Sequence, residues 1–503
     1  MKHNTSPLST ESLERAGWMP EPPRRAAGQH PECLPRTLED LAAVARREID
    51  ITRYPAKRWT LPREAPDGTG ALDVLIVGAS QAGLAVAHGL RMAHVDNIAL
   101  IDLAPRGKVG PWATYARMPT LRTHKDNGGI ECGIPSLSLR AWYEVQHGPG
   151  SWEALYKVQT ADWADYLEWF RDTAELGVDY DTELLDFALD ESGLIAAAVR
   201  APEGTRTIHA RKLVLATGIE GNGIRSIPAF VGHEIPPALY AHTQDDIDFA
   251  ALKGSRVLVL GGGASAYDNA ICAAEAGAEV HVFHRMEKLI SVNPGTWGEF
   301  DGYLHHYIDL PPELKWRFMK TFGSIKGGPP VATIKRALAL PNLHIHPGCS
   351  WRSMTASDGR LTVEASDGTH TGDFAILGTG YRMELSAVPS LAGKLKDIAT
   401  WEDMFTPPPG LPGNGLEKAP WLGRDFTFQP KPGQKATWHA HVLNFARGAQ
   451  LSTGTMPIGL SGIKFGAAEV VRSLTGAFFA EDAELYLSGL QSWTTRDLEA
   501  LDT

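Results

Sequence analysis

Short apolar runs along the chain end on glycine, and each leads into a segment of small residues. The run Asp73 to Val77 reads as a strand and stops at "GASQAG", Gly78 to Gly83. A small-residue helix follows, "QAGLAVAHGLRMAHV", and then a second strand, "IALID", ending on Asp102. Strand, glycine turn, helix and strand make a βαβ unit. The order recurs from "RVLVL" through Gly261-Gly262-Gly263-Ala264-Ser265-Ala266, a helix and the strand "EVHVFHR". Each unit is followed by short β-like runs with Ser-Gly, Glu-Gly or Asp-Gly turns. The first set closes on Ala216-Thr217-Gly218 and the second on Gly378-Thr379-Gly380-Tyr381. Repetition of the whole order is harder to obtain by chance than either glycine motif.

The pattern predicts an α/β fold with two Rossmann-like dinucleotide-binding domains, the second inserted in the first, each with a β-meander. Residues 1–69 form an extension with one packing helix, "TLEDLAAVARREI", started by Thr37 and Asp40 and carrying Leu38, Leu41, Ala45 and Ile49 near one face. Residues 70–225 and 366–503 make the first domain, and 226–365 the second, with an aromatic-rich insertion over 291–330. "TPPPGLPGNGLEKAP", Thr406 to Pro420, is a surface loop or lid by its Pro and Gly content.

Composition narrows the function. With 503 residues, 43% of them hydrophobic, the chain suffices for two or three domains. A net charge of -11 argues against nucleic acid as a partner. The N-terminal stretch lacks a signal-peptide core, and no apolar run reaches the ~18 residues of a membrane span. A cytoplasmic protein is expected, with a homo-oligomer left open. Cys33, Cys132, Cys272 and Cys349 form no C-x-x-C and show no metal-ligand spacing, so neither a thiol-redox pair nor a metal site is assigned.

A glycine turn at a strand's end offers backbone N–H groups and a helix N-terminus to a pyrophosphate. In the first turn Ser80 replaces the glycine of closest approach, between Gly78 and Gly83, and its hydroxyl is expected to donate to the phosphate. Asp102 lies about 20 residues past the turn, where ribose hydroxyls need an acceptor. In the second turn Gly261, Gly263 and Ala266 hold the key positions, with Ser265 among them, and the following strand ends on His284 and Arg285. A guanidinium matches a 2′-phosphate and a carboxylate repels it, which selects NADPH there and FAD at the acid-ended site.

On these motifs, from about Asp73 to the C-terminus, the chain resembles the flavin-dependent monooxygenases of the FMO, Baeyer–Villiger and N-hydroxylating group. "GPWATYARMPTLRTHK" resembles their Gly-x-Trp stretch and the turn under the flavin, which brings in Trp112 and Arg122 as cofactor contacts. Thr123 and His124 stand where those enzymes carry an Asn facing the reactive flavin carbon, and are the candidate catalytic positions. The strand ends add Thr217, Gly218, Gly380 and Tyr381, and the stretch near Gly459, Leu460 and Ser461 resembles the segment that closes over the flavin. The resemblance implies FAD and NADPH, a C4a-(hydro)peroxyflavin, and oxygen transfer to a small nucleophilic substrate. N-hydroxylation of an amine or amino acid is favoured, with S-oxygenation and Baeyer–Villiger oxidation also open. The alternatives are a reductase that passes electrons to a quinone or partner, and a non-catalytic FAD-binding sensor. Trp297, Phe300, Tyr303, Tyr307 and Trp316 either line a substrate pocket or form the core of a helical cap. Arg117, Arg122 and Lys125 are candidates for a substrate carboxylate or for cofactor phosphates.

Overall fold

The computed structural model describes residues 35–494 except 54, 56, 290, 291, 326 and 458. The extension's first 34 residues and the last nine therefore lie outside the described residues. Helix α1 (Leu38–Thr52) begins as expected: the Thr37 side chain accepts from the Asp40 N–H at 3.1 Å. Its Leu41 and Ala45 are buried in the first core.

The first unit runs β1 (Arg63–Glu64), β2 (Gly70–Val77), α2 (Gln81–Met92) and β3 (Ile98–Ile101). Helices α3 (Leu139–His147) and α4 (Thr160–Thr173) follow, then the strands β4 (Glu183–Leu189), β5 (Ile195–Ala201) and β6 (Gly204–Leu215). β2 pairs in parallel with β3 and β6, while β4, β5 and β6 form an antiparallel meander on the same sheet. The chain leaves along β7 (Gly223–Arg225).

The second unit has β8 (Tyr240–His242), β9 (Arg256–Leu260), α5 (Ala264–Glu275) and β10 (Glu279–His284). The insertion supplies α6 (Asp301–His306) and α7 (Pro312–Ser324), and α8 (Val331–Leu338) leads to β11 (Leu343–Pro347). A separate meander, β12 (Trp351–Ser357), β13 (Arg360–Ala365) and β14 (Gly368–Gly372), comes before β15 (Phe374–Leu377). The parallel order is β11-β10-β9-β15-β8. β16 (Tyr381–Met383) then pairs antiparallel with β7, so outgoing and returning chain form one two-stranded ribbon. β17 (Val442–Asn444) rejoins the first sheet beside β6, and α9 (Ile463–Glu481) and α10 (Ala483–Gln491) close the described chain.

One boundary differs from the expected division. The strand Phe374–Leu377, assigned from sequence to the returning first domain, pairs with β9 and β8 of the second sheet. Residues 366–377 thus stay with the second unit. The physical reason is symmetry of construction: β15 closes the second sheet after its meander just as β6 closes the first.

Each sheet carries its own core. Val74, Leu75 and Ile76 of β2 and Leu213 and Val214 of β6 are fully buried in one, and Val257, Val259, Val280 and Val282 in the other. Of the two readings of the insertion, a cap core accounts for three aromatics: Tyr303, Tyr307 and Trp316 are buried against Trp401 and Leu451. Trp297 remains 46% exposed, beside a groove of about 370 Å³ shared with Phe318 and Phe322. The Thr406–Pro420 loop lies on this cap, where the Leu411 carbonyl accepts from Trp316 Nε1 at 3.0 Å.

Candidate functional site

Both glycine turns sit at the carboxyl ends of parallel strands, the end at which open α/β sheets bind ligands. In the first, Gly78 has φ of 105° and lies against the neighbouring strand end, where a Cβ would come within 2.4 Å of the Ala216 carbonyl oxygen. A Cβ on Gly83 would fall 1.7 Å from the Gly78 oxygen, so glycine is required for α2 to pack on β2. Ser80 is the N-cap residue of α2, yet its hydroxyl makes no capping bond. Ser80 Oγ is buried without a partner among the described residues and faces Gly110. It lines a cavity of about 150 Å³ with Trp112 and Tyr180. Trp112 Nε1 is likewise buried without a partner, its ring edge-on to Trp163.

Asp102 braces this turn. Its Oδ2 accepts from the Ala79 N–H at 2.7 Å and its Oδ1 from the Ala104 N–H at 2.8 Å. Burial raises its pKa, and the two backbone donors oppose that rise.

In the second turn Gly261 has φ of 141°, and a Cβ there would meet the Gly378 carbonyl at 2.3 Å. Gly263 caps α5 and faces open space. Ala266 packs under Gly378, where a Cβ would come within 2.4 Å of the Ala266 methyl. Ser265 and Arg285 are exposed, and Arg285 has no ion-pair partner among the described residues.

The remaining strand ends converge on the β7/β16 ribbon. Thr217 packs against Gly221, and Gly218 and Gly380 have φ of 67° and 74°. His242 Nε2 lies 3.1 Å from the Gly380 carbonyl. The Arg447 guanidinium stands over the Tyr381 ring at 5.7 Å, and burial lowers its pKa. Arg447 was missed from sequence because its importance comes only from the returning chain.

The basic residues of the Gly110–Lys125 stretch are engaged with protein groups. Arg122 pairs at 2.7 Å with Asp268 of α5, which is buried, tying the first unit's turn to the second unit's helix. Arg117 donates to the Asp245 carbonyl and lies over Phe249, and Lys125 donates to the Trp152 carbonyl. His124 accepts from the Asp126 N–H at 3.4 Å and starts a short turn, with Thr123 half-buried beside it. Next to them is a group that sequence reading overlooked: Asn127 Nδ2 donates to Glu299 Oε2 at 2.9 Å, and Lys157 Nζ to the Arg122 carbonyl at 3.0 Å. Burial raises the Glu299 pKa, opposed by the Asn127 bond and by His124 and Lys157. Glu299 comes from the insertion, so only the folded cap brings it here.

At the C-terminal segment the Gly459 N–H bonds to the Thr455 carbonyl at 2.8 Å and is not free. Leu460 and Ser461 are buried just before α9, and their N–H groups have no acceptor among the described residues.

Comparison with known proteins agrees with this construction. Residues 72–302 match the family described as pyridine nucleotide-disulphide oxidoreductase. Over 452 residues the chain is 35% identical to the FAD-dependent urate hydroxylase of Xanthomonas campestris pv. campestris, covering 89% of this chain and 94% of that protein. The chain belongs to the class B flavin monooxygenase family. It is thus a flavin-dependent monooxygenase, an oxidoreductase. This monooxygenase shares its fold with the ornithine N-hydroxylase of Kutzneria sp. 744, with a TM-score of 0.63 and 16% identity over 81% of this chain and 99% of that one. The L-lysine 6-monooxygenase of Pseudomonas syringae gives a TM-score of 0.61 and 19% identity over the same shares, 81% and 99%. No helix among the monooxygenase's described residues is long and apolar enough to cross a membrane.

Proposed function

We propose that this chain is an FAD- and NADPH-dependent monooxygenase that hydroxylates urate or a closely similar electron-rich purine. One observation carries the reading. Two strand–glycine turn–helix units, ended by Asp102 and by Arg285, lie in a chain 35% identical over 89% of its length to a urate hydroxylase. In this reading the first sheet and the chain beyond β16 form the FAD domain, and the second sheet forms an NADPH domain inserted in it.

FAD fits the first turn because Ser80 Oγ is a buried donor lacking a partner at a helix N-terminus. Gly78, Ser80 and Gly83 would hold its pyrophosphate, Asp102 its ribose hydroxyls, and Trp112, Thr217 and Gly218 the approach to the ring. At the second turn, the open face of Gly263 leaves room for a phosphate beside Ser265, with Ala266 behind it and Arg285 for the 2′-phosphate. Gly380 and Tyr381 would border the nicotinamide half. Bound FAD supplies hydride acceptance from the nicotinamide and activation of molecular oxygen.

The chain's own residues bind, orient and exclude water. The Leu460 and Ser461 N–H groups before α9 offer partial positive charge to an anionic ring. Tyr303, Tyr307 and Trp316 make the cap a dry wall. Asn127, Glu299, Lys157 and His124 form a polar group at its edge, with donors and acceptors suited to a purine's alternating N–H and C=O groups. Lys157 would face the charge of a urate anion. In this reading Arg122 is given to Asp268 rather than to a phosphate.

A second reading, N-hydroxylation of an amine or amino acid, draws on Glu299 alone, since a half-buried carboxyl suits an ammonium. A substrate panel separates the two: urate and other purines against amines and amino acids, scored by oxygenated product. Urate turnover is expected, with Asn127→Ala and Glu299→Gln raising KM for urate about tenfold at similar kcat. Hydroxylamine formation from an amine with no urate turnover would replace the purine reading. NADPH oxidation with no oxygenated product from any member would remove both readings.

A further inference from the structure

Away from the glycine turns, the second sheet carries a group of ligand-type side chains that neither cofactor uses. β10 and β11 pair in register, Val282 with Ile345 and Phe283 with His346. His346 therefore projects from the sheet's face beside Phe283, whose ring stacks on the imidazole with centroids 4.3 Å apart. The meander brings Asp367 and His370 onto the same spot. Asp367 Oδ2 lies 3.2 Å from His346 Nδ1, and its Oδ1 lies 2.9 Å from His370 Nε2 and 2.9 Å from Cys349 Sγ. His346, Asp367 and His370 thus converge with all their ligand atoms within 4.8 Å of one another.

We infer that His346, His370 and Asp367 form a binding site for one divalent transition metal of zinc type, with Cys349 hydrogen-bonded to the Asp367 carboxylate beside it. Three arguments carry it. The donor set, two imidazoles and a carboxylate, is that of three-ligand zinc sites whose fourth position is open. The spacing is compatible: tetrahedral bonds of about 2.0–2.2 Å set neighbouring ligand atoms about 3.3–3.6 Å apart, so the 2.9–3.2 Å separations from Asp367 to the two imidazoles would widen by a few tenths of an ångström. Finally, His346 has the orienting partner that metal-bound histidines have, since its other ring nitrogen, Nε2, lies 3.0 Å from His281 Nδ1. A hydrogen bond between two imidazoles needs a lone pair on one of them, so this pair contains a neutral ring.

Binding would release to solvent any proton held on the ligating imidazole nitrogens and leave the metal's oxidation state unchanged. The metal would pin the β13–β14 turn to the edge strand of the second sheet, which has no strand partner on its outer side among the described residues. No C-x-x-C spacing announces the site, because its ligands come from two separate segments, His346 on β11 and Asp367 with His370 on the β13–β14 hairpin. It is distinct from the neighbouring trio of Glu279, His281 and His344, in which the acid and His344 already pair across the strands at 2.5 Å.

The test uses the flavin-loaded protein, stripped with a chelator and dialysed against Zn²⁺ alone. About one zinc per chain is expected. His346→Ala/His370→Ala should lose it while keeping flavin content and NADPH oxidation. His344→Ala should keep it, and His281→Ala should bind about tenfold more weakly. Co²⁺ gives a second readout on the wild-type chain: a visible absorption band of low-coordinate cobalt, which His346→Ala/His370→Ala removes and Cys349→Ser keeps. Absence of retained zinc in the wild type, equal retention by the double variant, or a cobalt band that survives in the double variant would each overturn the assignment.

Discussion

At the scale of single residues, the first glycine turn shows how one side chain can be read from sequence and another cannot. Ser80 was marked by its own position in "GASQAG", and its hydroxyl is indeed a buried donor lacking a partner among the described residues. Ser80→Gly should keep the fold and weaken FAD retention about fivefold, one hydrogen bond of ~1 kcal/mol, checked by flavin titration of the apoprotein. Asp102 was also marked, but its bracing of the Ala79 N–H was not, since that depends on the direction of a backbone donor across space. His88 carried no signal at all. It lies buried in α2 against the Phe170 ring, and burial pushes its pKa from 6.5 down to about 4. The unfolded chain then binds a proton that the folded one refuses, so stability is full above 6.5 and falls as pH drops towards 4. His88→Phe should flatten the acid limb by on the order of 3 kcal/mol, seen by comparing denaturant midpoints of the two proteins across that window.

At the scale of elements, the apolar runs and glycine turns were legible because each is local. The β9 strand follows "RVLVL" residue for residue, and the meanders follow their Asp-Gly and Ser-Gly turns. The membership of β15 was not legible, because strand pairing is decided by neighbours distant in sequence. The two turns also respond differently to the same change. Gly83→Ala drives a methyl into the Gly78 carbonyl and should destabilise the chain by about 3 kcal/mol or more, measured by urea unfolding. Gly263→Ala meets no neighbour, so the protein should fold normally yet show a raised KM for NADPH. Arg285→Ala should raise KM for NADPH about tenfold and leave that for NADH nearly unchanged, because only the former carries the 2′-phosphate.

At the scale of the whole molecule, the two sheets are joined by the β7/β16 ribbon and by the ion pair of half-exposed Arg122 with buried Asp268. Sequence reading leaves Arg122 open between a cofactor contact and a substrate carboxylate, because a basic residue in a glycine- and aromatic-rich stretch offers no sign of an acid far along the chain. Arg122→Ala leaves the buried Asp268 carboxyl without its partner and should cost about 1–2 kcal/mol, with reduction by NADPH impaired as the units lose register. The cap was half-legible: its aromatics stood out, but not that Tyr303, Tyr307 and Trp316 pack inward while Glu299 reaches the Asn127 turn. The substrate assignment depends on that whole arrangement. Its most direct test is turnover of urate under ¹⁸O₂ with NADPH, following oxygen, NADPH and urate together. The account predicts equal consumption of all three and one labelled oxygen atom in the product. Unlabelled urate recovered intact while NADPH and oxygen are consumed would contradict it.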